Sequence, residues 1–102
     1  MIAELERHRM ELEQLCRQYH VQQLDLFGSA ATGTFRSDES DLDFLVEFQP
    51  IPAGAYADTY FGLLEALERL FGKPVDLVVA SAIRNPYFRQ SVEQSRALLY
   101  AA

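Results

Sequence analysis

Cysteine and long apolar runs are scarce in this 102-residue sequence. Cys16 is the single cysteine, so no disulfide can form within the chain, and we expect Cys16 to be a packing residue in a cytoplasmic protein. No apolar stretch approaches the ~18 residues that a membrane span requires. Charged residues are scattered through positions 1–10. We therefore expect neither a signal peptide nor association with a membrane.

Basic charge is also scarce. Nine Lys and Arg residues stand against fifteen Asp and Glu residues, for a net charge of −6. A protein that wraps a polynucleotide usually carries a basic face, so direct binding of nucleic acid is not expected. An acidic domain can nevertheless handle phosphates if a few carboxylates hold metal ions. The function therefore depends on where the acidic residues lie.

The composition is that of a folded protein, because 49% of the residues are hydrophobic and 24% are charged. The length favours one domain, residues 1–102. Hydrophobic periodicity and turn signals predict an α/β (α+β) protein with a small mixed β-sheet flanked by helices. The predicted helices are 2–19, 58–71 and 86–95, and the predicted strands are 21–27, 41–48, 75–79 and, at an edge, 97–100.

Three features of the strands carry possible chemistry. Asp76 interrupts an otherwise apolar strand, and Asp41 and Asp43 share one strand face about 6.5–7 Å apart. Gly28-Ser29 ends the first strand in a turn whose backbone could approach an anion. Taken singly, the acids could equally lie on a solvated strand face, and any turn could use Gly-Ser.

Together, these features predict one site. If the second and third strands run parallel and the first runs antiparallel to them, all three features meet at one edge of the sheet. Helix 58–71 can supply the crossover that parallel neighbours require. Three carboxylates can hold two metal ions about 3.5–4 Å apart, an arrangement that stabilises attacking and leaving oxygens at phosphorus.

The motif from Gly28-Ser29 to Asp41-Leu-Asp43, followed by Val75-Asp76, resembles the nucleotidyltransferase signature of the DNA polymerase β superfamily. The short chain is similar to the minimal nucleotidyltransferases of that superfamily, the MntA-like antitoxins. This resemblance extends from about Leu24 to the end of the chain. It implies a polymerase β-like nucleotidyltransferase fold with ATP as substrate and Mg²⁺, two ions in all, as cofactor.

The resemblance also implies the role of each residue. Asp41, Asp43 and Asp76 would be the catalytic carboxylates and metal ligands, and Gly28 and Ser29 would hold the β- and γ-phosphates of ATP. The acceptor would be a tyrosine hydroxyl of a HEPN-domain toxin that pairs with this chain in a hetero-oligomer. Transfer of AMP to that tyrosine would neutralise the toxin.

One departure from the family pattern lies after the glycine turn. The family often has an arginine there, whereas this chain has Ala31-Thr32-Gly33, with Arg36 as a possible substitute. Two alternatives therefore stay open. The chain could be an antitoxin that only binds its toxin and has an inactive site, or a nucleotidyltransferase for small molecules of the aminoglycoside type.

Overall fold

The computed structural model describes residues 3–32 and 41–102. Gly33 and Arg36, two residues considered above, lie outside the described residues. The elements follow one another as α1 (Ala3–Arg7), α2 (Arg9–Gln18), β1 (Val21–Phe27), α3 (Ser29–Thr32), β2 (Leu42–Phe48), α4 (Tyr56–Phe71), β3 (Val75–Val79), α5 (Pro86–Ser95) and β4 (Ala97–Ala101), with short 3₁₀ turns at Ala53–Ala55 and Ala80–Ala82.

The four strands form one mixed sheet in the order β3-β2-β1-β4. β2 runs parallel to β3, whereas β1 is antiparallel to both β2 and β4. This arrangement confirms the predicted strand directions. The helix α4 connects the two parallel strands, which cannot be joined by a tight turn. The predicted edge strand is also confirmed, as β4.

The two faces of the sheet are covered differently. Alternate β2 residues, Leu42, Phe44 and Val46, are fully buried in a core with residues of α2 and α4. On the opposite face, a second and smaller cluster joins Phe27 and Leu45 to residues of the Ala80–Ala82 turn and of α5. Because side chains alternate along a strand, Asp43 lies on the same face as Leu45. Asp43 and Asp76, its pair on β3, therefore lie on the same face of the sheet as α5.

The N-terminal helix differs from its prediction. Residues 2–19 were expected to form one helix, but the described part is divided at His8 into α1 and α2. At that point the ring of His8 packs edge-on against Phe71 with centroids 5.7 Å apart. The buried stripe continues across the break through Leu5 and Leu12. Cys16 is a packing residue, as expected, and burial raises the pKa of its thiol to about 12.

The longest helix, α4, begins at Tyr56, two residues earlier than predicted. Asp58 consequently lies in its first turn, where a carboxylate interacts favourably with the helix dipole. In the middle of α4, a β-carbon on Gly62 would come 2.7 Å from the ring of Tyr19, so this glycine allows α4 to pack closely against the end of α2. No helix in residues 3–32 or 41–102 is long and apolar enough to cross a bilayer.

Candidate active site

A tight turn joins the end of β1 to the short helix α3. Gly28, at this turn, has a φ of 72°, in the left-handed region that favours glycine. Its carbonyl accepts hydrogen bonds from the N–H groups of Ala31 (3.1 Å) and Thr32 (3.2 Å). Its N–H donates to the Ser95 hydroxyl at 3.1 Å. The Gly28-Ser29 turn is thus held from both of its ends.

The turn lies directly against an acidic side chain. A β-carbon built on Gly28 would overlap the carboxylate of Asp43, with Oδ2 as the nearest atom. This closeness follows from strand pairing, since Phe27 is the partner of Asp43 in the antiparallel ladder and Gly28 comes next. Gly28 is therefore required both for its backbone conformation and for the space that Asp43 occupies.

Replacing Gly28 by alanine should destabilise the protein by more than backbone strain at this positive φ would by itself. We expect Gly28→Ala to cost about 2 kcal/mol or more, because strain in the left-handed region adds to displacement of Asp43. Gly72→Ala is a matched control, since Gly72 has a φ of 66° but no atom within 4 Å of an added β-carbon. Urea unfolding of both variants measures the difference. Equal losses of stability would mean that Asp43 moves away at little cost.

Asp43 and Asp76 are direct neighbours on the parallel strands β2 and β3. Asp43 is half-buried, whereas Asp76 is exposed. Burial raises the pKa of Asp43, and the negative charges of Asp76 and Asp41 raise it further. Two carboxylates held side by side repel each other, so this position favours a cation or a proton between them.

Asp41 lies outside the strand that holds Asp43. It lies one residue before β2 and is exposed, although its charge still acts on Asp43. In the described residues, no group of three or more His, Cys, Asp or Glu side chains is arranged to hold a metal ion. The structure therefore brings Gly28, Asp43 and Asp76 together, with Asp41 beside them, and the set of three metal ligands stays a prediction.

The chemistry of these donors nevertheless suits Mg²⁺. Mg²⁺ prefers one or two carboxylates, with waters and substrate phosphates in its remaining positions. Asp43 and Asp76 supply such a pair. A divalent ion bound between them would offset the repulsion between the two carboxylates.

A wide cleft lies along β3. Its volume is about 810 Å³, and its lining includes Tyr56 and Tyr60 from α4 together with Ile83 and Phe88. The Tyr60 hydroxyl donates a 2.5 Å hydrogen bond to the Leu77 carbonyl. Burial and the charge of Asp76 raise the pKa of this hydroxyl. Tyr60, in the lining of the cleft, is therefore near enough to Asp76 to be affected by its charge.

Sequence reasoning did not identify this cleft. The Tyr60 ring packs against the core, as a residue on the apolar face of a helix does, while its hydroxyl bonds to β3. A periodicity argument places rings and methyl groups on a face and says nothing about which strand lies opposite a hydroxyl. Ser95 was missed for the same reason, because its partner is 67 residues away.

The fold and the site together define a small α/β protein with an acidic pair set against a glycine turn, a site suited to metal-assisted chemistry at phosphate groups. The family described as "Nucleotidyltransferase domain" matches residues 8–99. The chain belongs to this nucleotidyltransferase family.

Two relatives illustrate the similarity in sequence. The "Putative protein adenylyltransferase MJ1379" of Methanocaldococcus jannaschii is 37% identical over 90 residues, which cover 88% of this chain and 85% of the relative. "Protein adenylyltransferase MntA" of Thermococcus cleftensis is 36% identical over 81 residues, which cover 79% of this chain and 75% of the relative.

Solved structures show the same architecture. One, described as a "putative minimal nucleotidyltransferase", superposes with a TM-score of 0.75 at 31% identity, covering 91% of this chain and 90% of the other. Another, described as a tri-AMPylated Shewanella oneidensis HEPN toxin in complex with MNT antitoxin, gives a TM-score of 0.65. That match is 20% identical, covers 95% of this chain and 72% of the other, and shows a common fold. The predicted polymerase β-like nucleotidyltransferase fold is thereby confirmed.

Proposed function

We propose that this chain is a Mg²⁺-dependent protein adenylyltransferase that acts as an antitoxin. It would transfer AMP from ATP to a tyrosine hydroxyl of a cognate HEPN-domain toxin and so neutralise that toxin. Two relatives with the names of protein adenylyltransferases support this proposal, and so does the fold shared with a structure described as an AMPylated HEPN toxin bound to its antitoxin.

The observation that carries the proposal is the order of groups across the site. The Gly28 turn lies against Asp43, Asp43 pairs with Asp76, and Tyr60 in the lining of the aromatic cleft is near enough to Asp76 for that charge to raise the pKa of its hydroxyl. A nucleotide needs a phosphate-binding turn at one end, and an acceptor needs open space at the other. The two carboxylates lie between these ends, where phosphorus and hydroxyl would meet.

Each residue then has a defined task. Gly28 and Ser29 would bind the β- and γ-phosphates, since the turn brings backbone close to an anion without an intervening side chain. Asp41, Asp43 and Asp76 would hold Mg²⁺, which when bound neutralises charge on the phosphates and on the pyrophosphate that leaves. The half-buried Asp43, which lies against the Gly28 turn, would be on the nucleotide side of the pair, and the exposed Asp76 would be on the acceptor side.

The reaction is a substitution at the α-phosphorus of ATP. A bond forms between the tyrosine oxygen and phosphorus, and the bond from phosphorus to the pyrophosphate oxygen breaks. Asp76 would take the proton of the attacking hydroxyl, because its carboxylate is exposed and an entering side chain could reach it. The cleft is open to solvent, so the acceptor protein would complete the enclosure of the reacting groups.

Incubation of the chain with α-labelled ATP, Mg²⁺ and its HEPN partner tests the proposal. We expect label on the partner, on a tyrosine that peptide mass spectrometry locates, and loss of the toxin's ribonuclease activity in step with labelling. The double variant Asp41→Asn, Asp43→Asn should neither label nor neutralise the toxin.

Other outcomes would contradict the proposal in distinct ways. Neutralisation without ATP, and by the double variant, would indicate an antitoxin that only binds its toxin. Label on an antibiotic hydroxyl, but not on the partner, would indicate a small-molecule nucleotidyltransferase.

A further inference from the structure

The last turn of α5 lies against the end of β1, far from it in sequence. Ser95, the final residue of α5, accepts the Gly28 N–H through its hydroxyl oxygen at 3.1 Å. The Ser95 hydroxyl in turn donates its own hydrogen to the carbonyl oxygens of Ser91 (3.3 Å) and Val92 (3.4 Å). A serine that bonds back to its own helix keeps its oxygen free to accept, and here the oxygen accepts from Gly28.

The register of the sheet explains this contact. In the ladder between β1 and β4, Leu26 pairs with Ala97. Gly28 lies two residues after Leu26, just beyond the end of β1, and Ser95 lies two residues before Ala97, so continuing the antiparallel register would place them opposite each other. Ser95 belongs to a helix and cannot offer a strand carbonyl at this point. Its side-chain oxygen takes the place of that carbonyl.

We infer that Ser95 is a positioning residue, which holds the Gly28-Ser29 turn in the geometry that receives the nucleotide phosphates. This inference rests on the proposed function, and it adds a residue of α5 to the site. Without the hydroxyl, the Gly28 N–H loses its partner, and the bonds that remain to Gly28 among the described contacts are those that its carbonyl accepts from Ala31 and Thr32. The turn would sample orientations that bind phosphate less well.

The structure also explains why Ser95 itself stays in place. The next residue, Arg96, forms a 2.6 Å ion pair with Asp25, which is 2% exposed on β1. Asp25 is three residues before Gly28, so the corner between α5 and β4 is attached to β1 at two points. Movement of α5 relative to β1 would therefore move the Gly28-Ser29 turn directly.

Three variants test the inference in the full chain. Ser95→Ala removes the acceptor, Ser95→Thr keeps a hydroxyl, and Ser91→Ala is a matched control on the same helix with an exposed side chain. Calorimetric titration with ATP and Mg²⁺ measures affinity, and amide hydrogen exchange by NMR measures protection of the Gly28 N–H. We expect Ser95→Ala to weaken ATP binding about tenfold and to speed exchange at Gly28 about tenfold or more, with Ser95→Thr restoring both.

The outcomes separate this inference from the proposed function. If wild-type chain binds ATP and Ser95→Ala binds it equally well, the positioning role is wrong while the proposed function stands. Unchanged exchange at Gly28 would overturn the hydrogen bond itself. If the wild-type chain fails to bind ATP with Mg²⁺, the proposed function fails and the inference fails with it. Equal effects of Ser91→Ala and Ser95→Ala would reduce the result to a general loosening of α5 and so overturn the specific role.

Discussion

Replacing Asp43 by asparagine should abolish nucleotidyl transfer and, at the same time, stabilise the fold. We expect labelling of the partner to fall by about 10²–10³-fold, the loss typical of removing one group that stabilises charge in a transition state. The fold should gain stability at pH 7, because the variant no longer holds a half-buried negative charge beside Asp76. A rise in Tm of about 2–4 °C is expected.

The pH dependence of this gain follows from the direction of the pKa shift. Burial and the charges of Asp76 and Asp41 raise the pKa of Asp43 above its ordinary value of 3.8. Folding therefore carries a penalty above the raised pKa, and this penalty disappears as pH falls through the raised pKa towards 3.8. The difference in Tm between Asp43→Asn and wild type should be largest at neutral pH and should close on acidification.

A matched control separates the site from general charge effects. Glu65→Gln removes one negative charge from an exposed position on α4 and should leave both Tm and labelling nearly unchanged. Asp43→Asn with full labelling would mean that Asp43 has no part in the reaction. A lower Tm would mean that the carboxylate is already compensated in the folded chain.

Of the single substitutions predicted, loss of the Arg96 charge should lower the stability of the fold the most. Asp25 is 2% exposed, and its Oδ2 accepts a 2.6 Å hydrogen bond from Arg96 Nε. This hydrogen bond raises the pKa of the Arg96 guanidinium. Arg96→Met keeps the apolar stem but leaves the buried Asp25 carboxylate with the Gln23 amide, 3.0 Å from Oδ1, as its described partner. We expect a loss of about 3 kcal/mol in urea unfolding.

Two further variants show whether the cost comes from the unpaired carboxylate. Arg17→Met removes the same charge from an exposed ion pair with Glu13 and should cost less than about 1 kcal/mol. Asp25→Leu combined with Arg96→Met should recover much of the loss, because an apolar pair leaves no buried charge. If the double variant loses as much stability as the two single variants added together, Asp25 and Arg96 are not coupled and the cost does not come from breaking their ion pair.

Most of the fold could be predicted from sequence because its signals are local. Alternation of apolar residues from Leu42 to Phe48 defines a strand with one core-facing side, and Gly72 and Pro74 mark the end of α4. The break at His8 could not be predicted in this way. It occurs where the His8 ring meets Phe71, 63 positions further along the chain, and no local pattern in the helix encodes that contact.

The sequence by itself determined the residues of the candidate site and their order along the chain. A glycine turn after one strand and aspartates on the next two follow from residue types and periodicity alone. Only the tertiary structure decided which of them touch. The parallel register pairs Asp43 with Asp76 and leaves Asp41 at the margin, and the antiparallel register sets Ser95 opposite Gly28. The cleft beside Tyr60 also exists only in the folded chain. Register depends on contacts between distant segments, and a shift of one residue would turn every side chain to the other face.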